Sequence, residues 1–246
     1  MHIYCVNHST VLPDNEIEAC MPAFNVYINH VKKFWPCPAN LQFVTPDNLP
    51  ADVWTMVVAD DSDQAGALGY HDYSPSGKPI SYVFAKTDKD YGYSWTVTFA
   101  HELAEMMADP YISTAIQVAN NKFYAQEIGD PVEADDLGYT IRAKDTSIDV
   151  LVSDFVTPAW FIPGHPGPVY DHAKHCSAPL QLLPGGYMSV FVSGKGWTQI
   201  YAQKDTHEAE EVPMSAKAEG KGPYSRPERY ARDRGEHKLH VADASS

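Results

Sequence analysis

The residues best equipped for chemistry lie on one short stretch, Tyr93–Pro110, with the sequence YSWTVTFAHELAEMMADP. Read as a helix, it places Thr98, His101, Glu102, Glu105 and Asp109 in one polar stripe. Nearly everything else on it is apolar: Trp95, Val97, Phe99, Ala100, Leu103, Ala104, Met106, Met107 and Ala108. A helix of that kind is expected to be buried. Burying an imidazole with three carboxylates costs several kcal/mol for each group that lacks a hydrogen bond, a proton or a metal. His101 and Glu105, at i and i+4, can reach one point beside the helix. HExxH zinc helices present two ligands in this way, with the intervening glutamate as general base. Here glutamate occupies the second histidine position, giving HExxE, and Glu102 stands where the base would be. Asp109, one turn beyond Glu105, is a candidate ligand or a partner that orients His101.

The elements that must position this stripe follow from local patterning. His2–Asn7 alternates as a first strand, and Asp14 or Asn15 can cap a helix running to about Trp35, where Pro36 and Pro38 stop it. Leu41–Val44, Val53–Ala59 and Ile80–Ala85 read as strands, with a Gly-rich segment that includes Gly66–Gly69 as a turn between the last two. The first 110 residues therefore read β-α-β-β-β-α. Tyr111–Lys122 reads as weakly helical, Gln126–Asp136 (QEIGDPVEADD) as an acidic turn with five carboxylates, and 139–202 as strands and turns punctuated by Pro and Gly. From Lys204 apolar residues thin out, and the composition is that of a solvated tail. The expectation is an α+β fold with a mixed sheet. Residues 1–136 form an N-terminal part carrying the helix over 93–109, and 137–203 a strand- and loop-rich C-terminal part of the same domain. Residues 204–246 form a polar tail expected to be held by a partner or a neighbouring subunit.

Charge narrows the function classes. The net charge of −14 argues against nucleic acid and anionic membrane as partners and suits cation binding. Of 18 Lys/Arg and 32 Asp/Glu, Lys204–Ser246 carries 8 and 9, which leaves 10 and 23 on residues 1–203. The acidity thus belongs to the body of the chain. MHIYCVNHST lacks the pattern of a signal peptide, so a cytoplasmic or virion setting is expected. Cys5, Cys20, Cys37 and Cys176 have no zinc-finger spacing and are expected to be free, buried thiols.

The strands before the helix and the His101-Glu102-x-x motif resemble the zincin metallopeptidase fold. Together HELAEMMADP, EIGDPVEADD, VSDFVTPAWF and PGGYMSV…GWTQ are similar to a zincin-like family of bacteria and their phages, over roughly residues 1–202. The resemblance implies a metal-dependent peptidase or amide hydrolase acting on a peptide or protein substrate. His101 and Glu105 would be ligands, Glu102 the general base, and a downstream acidic residue (Glu127, Asp130 or Glu133) the third ligand. Zinc is the first cofactor expected, with calcium or manganese as alternatives because the donor set is rich in carboxylate.

Other candidates carry less. Asp171-His172-x-x-His175-Cys176 has ligand-type residues in a Pro-rich loop, and His165 lies in a Pro-Gly turn. Met188 reads as an ordinary core methionine, and Tyr70, Tyr73, Tyr111 and Tyr139 are possible oxyanion donors. The rival to an enzyme is a non-catalytic assembly protein, such as a phage virion component, that keeps the fold and a structural metal and self-associates through the 204–246 tail.

Overall fold

The structure is a computed structural model that describes residues 1–62, 68–142, 148–164, 167, 169–202 and 209–213. In chain order the elements are β1 (His2–Asn7), α1 (Asp14–Val31), β2 (Asn40–Phe43), β3 (Trp54–Ala59), β4 (Gly69–Tyr73), β5 (Pro79–Phe84), α2 (Ala85–Asp90) and α3 (Trp95–Ala108). They continue with β6 (Ala115–Ala119), β7 (Lys122–Ala125), β8 (Tyr139–Arg142), β9 (Asp149–Val152), β10 (Tyr187–Val192), β11 (Gly196–Ala202) and β12 (Ala209–Pro213). The fold is α+β, as expected. One mixed sheet has the order β2-β1-β3-β5-β4, parallel except for the edge strand β4, which runs antiparallel to β5. A second, antiparallel sheet has the order β12-β11-β10-β7-β6, and β8 and β9 form a separate hairpin.

Alternation along the first sheet decides where the core sits. Ile3, Cys5, Met56, Val58 and Val83 are buried in the same apolar cluster as Phe24, Ile28, Phe99, Leu103 and Met106 from α1 and α3. Phe24 stacks on Phe99 with ring centroids 4.2 Å apart. Each such side chain contributes about 1.5–3 kcal/mol when fully buried. The same cluster continues through Phe155, Trp160, Met188 and Val190, so the N- and C-terminal parts share one core. Val6, Val57, Ile80 and Tyr82 line a groove of 530 Å³ on the opposite face of the sheet. The four cysteines are free and buried. Among the described residues no helix is long and apolar enough to cross a membrane.

Several local expectations are corrected. The first helix ends at Val31, and Asp14 lies inside its first turn, where its carboxylate accepts from Asn7 Nδ2 at 2.7 Å instead of capping. The approach of Pro36 turns Phe34 and Trp35 back onto the Val31 carbonyl. Part of the Gly-rich segment is the strand β4, and residues 63–67, with Gly66, lie outside the described residues. The strand read to Ala85 stops at Phe84, where α2 begins. Tyr111–Lys122 is not helical: Ile116 and Val118 alternate in β6, which pairs with β7 across a turn at Asn121 with φ 56°. Within the tail, Ala209–Pro213 is a strand paired with β11, so backbone hydrogen bonding overrides a polar composition there; the rest of 204–246 lies outside the described residues.

The C-terminal part also buries a carboxyl pair. Asp154 Oδ1 accepts from Phe155 N at 2.8 Å and Ala173 N at 3.0 Å, while Asp171 accepts from His175 N and Cys176 N, both at 2.7 Å. Burial, a hydrogen bond to Asp171 and that residue's charge push Asp154 up to about 9. A proton held on Asp154 relieves its repulsion with the neighbouring carboxylate. A folded-state value raised above the unfolded one gives stability that is full below about pH 4 and drains away as pH rises toward 9. Asn at this position keeps the neutral shape. Asp154→Asn is therefore expected to raise the melting temperature over wild type at pH 8.5, by a margin that narrows toward pH 5. Thermal melts across that range check it, and a pH-independent difference would contradict it.

Candidate metal centre

The helix carrying the polar stripe spans Trp95–Ala108, and Val97–Met107 are all buried. It packs on β4 and β5 on one side and on β9 on another. Asp135 Oδ2 accepts from Ser94 N at 2.9 Å, putting a carboxylate at the helix start, where the dipole favours negative charge. At the other end Asp109 leaves the helix before Pro110. Its carboxylate accepts from Ser113 N (3.2 Å), Thr114 N (3.0 Å) and Thr114 Oγ1 (3.1 Å). The side chain expected to ligate a metal or orient His101 thus holds the loop that follows the helix.

The acidic turn is not a solvated one. Glu127, Asp130 and Glu133 are 1%, 1% and 8% exposed. Hydrogen bonds from several directions pin the turn against α3. Gln126 Nε2 donates to Ala108 O at 2.8 Å, Gly129 N to Glu105 Oε1 at 3.2 Å, Val156 N to Ile128 O at 2.7 Å and Leu183 N to Pro131 O at 3.0 Å. At Gly129 a Cβ would fall 2.6 Å from His101 Nδ1. Only a residue without one lets the turn lie this close to the imidazole.

That approach completes a triad. His101 Nε2 lies 3.4 Å from Glu105 Oε2 and 3.5 Å from Asp130 Oδ1. One ligand-type atom from each of the three falls within 4.8 Å of the others. Beyond its approach to His101, Asp130 Oδ1 accepts no hydrogen bond. A second grouping of the same size contains His71, Glu102 and Glu105. Among the described residues neither grouping includes Glu127 or Glu133, although the charge of Glu133 acts on Asp130. His71, on β4, has no place in the sequence-based ligand set. Its signal is weak, a lone histidine in GYHDY two residues after Gly69.

Electrostatics make this cluster expensive in isolation. Glu102, Glu105, Glu127 and Asp130 are at most 1% exposed, and among the described residues no lysine or arginine is buried. Burial and the Glu105 charge push Asp130 up to about 8, against the pull of His101. Burial pulls the His101 imidazole down, but Glu105, Asp130 and Glu102 outweigh it and hold it well above its ordinary value. The groups therefore gather protons where a cation could stand. One imidazole with two carboxylates at mutual reach fits a divalent ion of the zinc–manganese range.

The weaker candidates disperse. His172 stacks on His30 and Phe155, His175 donates to Leu137 O at 3.0 Å, and His165 lies outside the described residues. Tyr70 packs with Phe84 and Tyr82 in a small cluster of its own, Tyr73 and Tyr111 are exposed, and the Tyr139 hydroxyl lies 3.0 Å from His30 Nδ1. Met188 is a core residue of β10. No family model matches the chain, and no curated protein or solved structure does either.

Gly129 has φ −86° and ψ −38°, which any residue adopts, so Gly129→Ala tests the close approach alone. The added methyl is expected to cost about 1–3 kcal/mol in denaturant unfolding. It should also weaken zinc binding at least about tenfold by calorimetric titration, since 1.4 kcal/mol is one decade. Unchanged zinc affinity would show that this contact does not shape the centre.

Proposed function

We propose that this chain binds a divalent cation, zinc first, through His101, Glu105 and Asp130, and that it is a zincin-like hydrolase of peptide or other amide bonds. The observation that carries the reading is the convergence of His101, Glu105 and Asp130, all buried, with one ligand-type atom of each within 4.8 Å of the others. Calcium and manganese are the alternative ions.

A cation at this position supplies Lewis acidity toward an amide carbonyl. The rest falls to the chain's own residues. His101, Glu105 and Asp130 are preorganised by a rigid helix and a pinned turn, so little reorganisation accompanies binding. Glu102 follows His101 on the helix, its Oε2 3.6 Å from His71 Nδ1. Its role is to accept a proton from the attacking water and return it to the leaving amine. Glu127 and Glu133 add negative potential that favours a cation over a proton.

One observation favours a second reading. The triad's side chains are no more than 3% exposed, as befits an ion that holds α3 to the acidic turn. On that reading the chain is a non-catalytic assembly component, such as a virion protein, and the cation is structural.

Glu102→Gln separates the two. For a hydrolase, this variant is expected to retain its zinc while cleavage of a fluorogenic peptide library falls at least about 100-fold. For a structural ion, wild type and variant cleave nothing, and chelation lowers the melting temperature of both equally. Loss of zinc from Glu102→Gln would contradict the role given to Glu102 in the singly loaded protein.

A further inference from the structure

His71 is fully buried on β4, facing α3. Its Nε2 lies 3.2 Å from the carbonyl oxygen of Asp109. A carbonyl only accepts, so Nε2 carries the hydrogen of that bond. In the neutral ring Nδ1 is then the lone-pair nitrogen, and it points at Glu102 Oε2 (3.6 Å) and Glu105 Oε2 (3.8 Å). Three acceptor atoms on three residues thus converge within 4.8 Å of one another. An imidazole that donates one N–H to a backbone carbonyl and aims its other nitrogen at carboxylates has the tautomer and orientation of a metal ligand.

The surroundings support the same reading. A Cβ at Gly69, two residues before His71 on the same face of β4, would lie 3.0 Å from Glu102 Cγ and 2.7 Å from Thr98 Cγ2. The missing side chain lets the strand press against α3, which brings His71 within reach of both glutamates. Glu105 Oε2 belongs to both groupings, 3.4 Å from His101 Nε2 and 3.8 Å from His71 Nδ1.

We propose that His71, Glu102 and Glu105 form a second divalent-cation position beside the first, with Glu105 as the bridging carboxylate. The proposal rests on the first position only through Glu105. It has a functional consequence: with the second position filled, Glu102 is a ligand and cannot take a proton. Occupancy of the first position then supports hydrolysis, and occupancy of the second suppresses it.

Zinc titration of the full chain by calorimetry, with elemental analysis after gel filtration, tests the proposal. Wild type is expected to take two equivalents, Asp130→Asn one, and His71→Ala one. His71→Gln, which keeps size and polarity, is expected to match His71→Ala. Should both His71 variants fail to fold, wild type saturated with manganese(II) decides by electron paramagnetic resonance. An exchange-coupled pair is expected, and the spectrum of isolated manganese would overturn the proposal. One equivalent in wild type, kept in His71→Ala and lost in Asp130→Asn, would reject the second position and leave the first standing. No binding in wild type would reject both.

Discussion

Carboxylates placed in a low-dielectric interior repel one another unless protons or a cation stand between them, and α3 places Glu102 and Glu105 there within one turn. The apolar residues around the rest of the helix demand that it be buried, so the polar stripe is carried inside with them. Asp130 arrives from the acidic turn and His71 from an edge strand, both nearly fully buried. Among the described residues, His71 and His101 are basic side chains that approach these carboxylates. On the proposed reading, a divalent cation relieves the repulsion among these carboxylates.

Holding such a cluster together takes more than the helix. Backbone donors from 129, 156 and 183 fix the acidic turn, and the Asp109 carboxylate fixes the loop after α3. Two glycines remove the atoms that would keep neighbouring elements apart. Gly129 lets the turn lie on the His101 ring, and Gly69 lets β4 lie on Thr98 and Glu102. These contacts cross long stretches of sequence, so the site forms only once the two parts of the chain share their core. A site built this way would need little rearrangement to hold a cation.

The helix and its stripe were legible because periodicity reports burial directly: His101, Glu102 and Glu105 could be placed on one side from spacing alone. The acidic turn was legible as a turn, but its burial was not. Nothing local in QEIGDPVEADD says that β10 and the 182–186 segment cover it. His71 was invisible for a similar reason. Its partners lie 31 and 34 residues away on α3, and its own segment reads as Gly-rich punctuation. The β6–β7 hairpin was misread because Tyr111–Lys122 has no strong period, and cross-strand pairing, which is non-local, decided the matter. Ala209–Pro213 shows the same override, since an edge of β11 recruits a charged segment through its backbone.

The two proposed readings, hydrolase and structural component, would make the same use of the buried triad and differ in what Glu102 does, so both depend on an ion at His101, Glu105 and Asp130. The most direct measurement is anomalous diffraction at the zinc edge from crystals grown with zinc chloride. The expected result is a peak at bonding distance from His101 Nε2 and from carboxylate oxygens of Glu105 and Asp130. Crystals with zinc bound elsewhere, no anomalous peak there, and the three side chains hydrogen-bonded to one another would contradict it.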